Sequence, residues 1–85
     1  MVKMLEVITL EKAKEIAKKE NVSNEEKELL LKNLEFRKDI LKNTMEKIRI
    51  TKDIARFAAL CKKFLLDYED YLSFKEACWR AGIKL

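Results

Sequence analysis

The chain contains no Pro, no His and no Gln, and only one Gly, Gly82, in 85 residues. Each absence excludes chemistry. Without His there is no imidazole base, so Ser and Cys triads of the usual kind are ruled out. One Gly cannot build a phosphate-cradling loop or a dinucleotide fingerprint. Cys61 and Cys78 lack the spacing of a zinc site, and no His can complete one. They are expected to be free thiols, with a disulfide between them as the alternative. The acids are scattered among lysines at helical spacing, as on solvated helix faces. No catalytic residue, metal, cofactor or small-molecule substrate is therefore expected. No apolar run approaches the ~20 residues that span a bilayer. The first residues also lack the apolar core of a signal peptide. The expectation is a cytoplasmic protein without membrane contact.

Hydrophobic residues make up 48% of the chain and charged residues 40%. That is too apolar for intrinsic disorder. The length fits a single domain, 1–85. A domain of this size buries only about 60% of its unfolded surface. It sits just above the roughly 70–80 residues below which small folds need a staple or partner. A homo-oligomer or a protein partner is accordingly expected. The Lys- and Glu-rich composition fits a thermophile, or equally an AT-rich genome.

The apolar pattern predicts an all-α fold of four helices, at about 10–20, 24–49, 52–72 and 74–81. Residues 2–8 read as a short strand or a helix start. Thr9 is the predicted first N-cap, and Asn21 can close that helix in a left-handed turn. Ser23 and Glu26 form a capping box, and Ser73 with Glu76 forms a second. Gly82 is the expected left-handed stop of the last helix. The apolar phase shifts between Ile48 and Ile54, which puts a bend near Ile50–Thr51 with Thr51 as N-cap. The second and third helices should pack as a long antiparallel hairpin, with the terminal helices across it. Ile54, Phe57, Ala58, Cys61, Phe64, Leu65, Tyr68, Tyr71 and Leu72 would form the core side of the third helix. One competing pattern is an alternation over 47–51, which could pair as a strand with residues 4–8.

The net charge is +4, but it is concentrated. Residues 37–63 carry nine basic and three acidic side chains, while both flanks are slightly acidic. Lys38, Lys42 and Arg49 share one side of the second helix; Lys52, Arg56 and Lys63 share the outer side of the third. Stacked like charges do not stabilise a helix, so these six residues are the candidate nucleic-acid contacts, made to phosphates and not to bases. The aromatics of the third helix are assigned to its core side, which gives no support for stacking on single strands.

Asn33 and Arg37 project from the middle of an apolar arc on the second helix. Arg37 can pack its stem and send its head to solvent, or form a buried ion pair. Asn33, Arg37, Ala55, Ala59 and Leu66 are the candidate partner interface.

Residues 73–83, Ser-Phe-Lys-Glu-Ala-Cys-Trp-Arg-Ala-Gly-Ile, resemble the first helix and turn of a helix-turn-helix DNA-binding unit. Ala77, Ala81, Gly82 and Ile83 carry the likeness. It covers 11 of 85 residues and lacks the recognition helix, so no family is assigned. The expected function is a small non-enzymatic protein that associates with nucleic acid around the bend. The alternative is an adaptor, inhibitor or homo-oligomeric structural protein of the viral or plasmid regulator kind, working through the apolar face of the second helix.

Overall fold

The computed structural model describes residues 6–85. They form three α-helices and no strand: α1 (Leu10–Ala17), α2 (Asn24–Ile50) and α3 (Ile54–Arg80). Most of the 2–8 segment lies outside the described residues. Residues 6–9 have no regular structure, and 47–50 are helical, so the suggested strand pairing does not form.

The starts of the first two helices follow the sequence. The Thr9 hydroxyl accepts from the Lys12 amide at 3.1 Å. Ser23 and Glu26 cap α2 reciprocally, Oγ accepting from the Glu26 amide and Oε1 from the Ser23 amide. Lys19 reaches Glu26 at 2.6 Å. These bonds to Lys19 and Ser23 hold the Glu26 carboxyl below the usual carboxylate range. An acid in the first turn also suits the positive end of the helix dipole.

Three helix boundaries differ from the sequence pattern. Asn21 does not close α1 in a left-handed turn, since no residue other than Gly has positive φ among the described residues. Instead the helix tightens, with Lys18 and Lys19 amides bonding to Glu15 and Ile16 carbonyls. At the bend, Thr51 ends α2 and Asp53 is the N-cap of α3, its carboxylate accepting from the Ala55 amide at 3.0 Å. Thr51 is held in that role because its hydroxyl donates back to the Lys47 carbonyl.

The third difference is the largest. The expected third and fourth helices are one, and the capping box at Ser73 is not used. Ser73 is continuous with apolar spacing on both sides, and no Pro or Gly interrupts it. Backbone i→i−4 bonds therefore win over a local side-chain cap. Residues 73–80 are the last turns of a long helix, so they are not the separate first helix that a helix-turn-helix requires.

α3 ends as expected at Gly82, at φ +89°. The Ile83 amide bonds to the Cys78 carbonyl and the Gly82 amide to Trp79, a Schellman closure. Ile83 folds back against the core.

α2 and α3 pack against each other. Arg37 meets Asp70 and Leu30 meets Cys78, so one helix descends as the other rises. The core lies at one end of this pair. Leu30 and Leu34 of α2 meet Phe74, Ala77, Cys78 and Ala81 there, and Ile8, Ala13 and Ile16 close over them. Each fully buried large side chain contributes about 1.5–3 kcal/mol. The other end is open: residues 52–59 are all exposed. The radius of gyration is 15.1 Å and the long axis 49 Å. A compact chain of this length would have a radius near 12 Å.

The apolar stripe of α3 is therefore only in part its core side: Tyr71 packs against the core, and Cys61 and Phe64 are half-buried. Ile54, Phe57, Leu65, Tyr68 and Leu72 are exposed. The helix buries Phe74, Ala77 and Cys78, and Cys78 lies one heptad beyond Tyr71 on the same edge of the stripe.

Cys61 and Cys78 are both free. On one helix, at 1.5 Å per residue, they stand about 25 Å apart, beyond disulfide reach. Burial pushes the Cys78 thiol up to about 11. A raised thiol pKa favours the folded state below the ordinary value and loses that contribution as pH rises from about 9 through about 11. With a thiol-reactive reagent near neutral pH, Cys61 should label quickly and Cys78 only at the rate of unfolding. Equal rates for the two thiols would contradict the burial of Cys78.

Candidate nucleic-acid interface

Lys38, Lys42, Arg49, Lys52, Arg56 and Lys63 are all exposed. They do not form one surface. Lys52 and Arg56 line a groove of about 370 Å³ at the bend, together with Lys47, Ile50, Asp53 and Leu60. Lys47 was not singled out by the ridge pattern. It lies half a turn away from Lys38 on α2 at 100° per residue. Its signal was its place in the last turn before the bend, which charge ridges along single helices do not register.

The same half-turn sets Lys38, Lys42 and Arg49 on the other side of α2. Arg49 pairs with Glu46 at 3.2 Å. Lys63 pairs with Asp67 at 2.9 Å. Among the described residues, Lys38, Lys42, Lys47, Lys52 and Arg56 take part in no ion pair.

The helix ends sort these cations further. Lys47 and Arg49 lie in the last turn of α2, where cations suit the negative end of the dipole. Lys52 and Arg56 flank the start of α3, the positive end, whose first turn carries no acid. Asp53 offsets part of this field, but its carboxylate is engaged by Ala55. Two cations at a positive helix end cost a few tenths of a kcal/mol each. Local stability does not account for them.

The candidate partner residues divide sharply. Asn33 is fully buried. Its Oδ1 accepts from the Ile8 amide at 2.9 Å, and its Nδ2 donates to Glu6 and Leu29 carbonyls at 2.8 and 2.9 Å. Arg37 does not send its head to solvent. Nε donates to Asp70 at 2.9 Å, NH2 donates to the Ile8 carbonyl at 2.9 Å, and the guanidinium lies 4.1 Å from the Phe74 ring centroid. Both side chains thus tie residues 6–8 onto α2 and α3 and leave no free donor face for another protein. Ala55, Ala59 and Leu66 are exposed on α3. The apolar face of α2, through Leu30 and Leu34, is filled by the chain's own core.

A second groove of about 330 Å³ lies between α1 and α3. It is lined by Lys14, Lys18, Glu76 and Arg80, and Arg80 is paired with Glu76 at 2.8 Å. Among the described residues no three metal-ligating side chains converge, and no helix is long and apolar enough to cross a membrane.

No family model, curated protein or solved structure matches this chain.

Proposed function

We propose that this chain is a non-enzymatic helical protein that contacts nucleic acid through phosphates at the α2–α3 bend, without strong sequence choice. The observation that carries the reading is the convergence of Lys47, Lys52 and Arg56 on one groove at the positive end of α3, with no ion pair among the described residues to neutralise them. Exposed amines and a guanidinium on long stems are suited to phosphate oxygens. No side chain at the groove is placed to read a base edge. Lys63 continues the same side of α3, and Lys38, Lys42 and Arg49 form a separate ridge.

The test is binding to a random-sequence duplex and to single strands across a salt series. Affinity should fall as salt rises, with similar values for unrelated sequences. Removing Lys47, Lys52 and Arg56 together should weaken binding at every sequence. It should also flatten the log–log salt slope by about one unit per cation. Removing Lys38 and Lys42 should change the slope less. Absence of binding at low salt, or a slope untouched by the triple substitution, would refute the proposal.

A further inference from the structure

The longest open apolar feature is on α3, not at the bend. Ile54, Ala58, Cys61, Leu65, Tyr68, Leu72, Lys75 and Trp79 recur at alternating steps of four and three. That is the a/d seam of a heptad repeat, and seven of its eight positions are apolar. A seam of period 3.5 on a straight helix serves a partner helix that winds around it, whereas a globular core needs a broader arc. Here the seam has no partner. Ile54 is 85% exposed, Leu65 66% and Trp79 71%. α1 and the core pack on other sides of α3, through Phe74, Ala77 and Cys78, with Tyr71 at the edge of the seam. A contiguous apolar strip along a helix of 27 residues, about 40 Å long, marks an association surface.

We propose that this face pairs with the same face of a second copy of the chain, the two α3 helices running antiparallel. The charges beside the seam set the direction. Lys62 and Glu69 occupy successive e positions, and both are exposed. Neither takes part in an ion pair among the described residues. Antiparallel helices bring e positions of the two chains together. Full overlap of the seam sets Ile54 opposite the second copy's Trp79, and Leu65 opposite its Tyr68. In that register Lys62 of each copy faces Glu69 of the other, which makes two symmetric pairs. A parallel pair would bring e positions against g positions, which hold Phe57, Phe64 and Tyr71, and no charge would be matched. The one polar seam residue, Lys75, then lies opposite Ala58, where its stem can cross a small side chain and its amine reach water. The interface is isologous, as a two-fold dimer requires.

Sedimentation and light scattering of the full chain test this. The expected mass is twice the 10.1 kDa of one chain. Leu65→Glu should give a monomer of unchanged helicity, since Leu65 makes no core contact. Leu66→Glu, one position off the seam, should leave the dimer intact. Lys62→Glu and Glu69→Lys should each weaken the dimer by about tenfold, and the double swap should restore it. Mild oxidation should not cross-link two copies through Cys61, because antiparallel pairing holds the two thiols about 16 Å apart along the axis. A monomeric wild type, or a dimer indifferent to Leu65→Glu, would overturn the proposal. Failure of the double swap to rescue, or ready Cys61 cross-linking, would overturn the antiparallel register.

Discussion

Phe74→Ala is expected to lower the free energy of unfolding by about 3–5 kcal/mol. Phe74 is the largest side chain with no exposed surface. It is the point where α1, α2 and α3 meet, and its ring is the surface on which Arg37 lies. Truncation opens a cavity that three helices would have to move together to refill. The loss is large because domains of this kind are stable by only about 5–15 kcal/mol in total. Urea titration followed by circular dichroism at 222 nm gives the number. Leu66→Ala provides the contrast, since Leu66 is exposed and off the apolar seam, and surface changes usually lie within about 0.5 kcal/mol. A Phe74→Ala loss no greater than that of Leu66→Ala would mean that the core is not where the structure places it.

Arg37→Met carries the second large effect, about 2–4 kcal/mol. The guanidinium satisfies Asp70 and the Ile8 carbonyl while covering Phe74. Methionine keeps much of the stem volume but strands both acceptors. Breaking one partner of a buried pair costs about 3–5 kcal/mol. The value is discounted here because the Asp70 side chain is 44% exposed and can rehydrate. Asp70→Asn alone should cost less, since the Arg37 bond to Ile8 survives. The double variant should cost less than the two single changes together, because once Arg37 is gone Asp70 has little left to lose. Strict additivity in urea titrations would show that the ion pair is not energetically coupled. Loss of Arg37 should also release residues 6–8, visible as chemical-shift changes at Ile8.

How much was legible in the sequence follows from the residues themselves. The caps at Thr9, Ser23 and Gly82 were legible because each acts within four residues of chain. The bend was legible to within two residues, since a shift of apolar phase gives a region and only the side-chain bonds of Thr51 and Asp53 give the boundary. The Ser73 box misled for the converse reason. It is a valid start signal that yields inside a helix already propagating through it. Most of α3's stripe stays open, because periodicity reports an apolar face without saying what covers it. The burial of Phe74 came from its contacts with α1, to which local spacing is blind. Arg37 was visible as an anomaly, but its answer lay 33 residues away at Asp70. At the bend, the excess of charge was readable, whereas the convergence of Lys47 with Lys52 and Arg56 required two helices to be placed side by side.

The core's position at one end has a consequence for how the protein opens. Leu30, Leu34, Phe74, Ala77, Cys78 and Ala81 are sealed together with side chains of α1, and their amides should be the slowest to exchange with solvent. From 45 to 61 no side chain is buried, and most face water. Opening that segment breaks few contacts and leaves the core intact. The molecule is thus a hairpin whose turn is open and whose other end is closed by α1, and amide protection should be lower near Thr51 than near Phe74. The cations at the bend ride on its least buried part, far from the side chains that close the core.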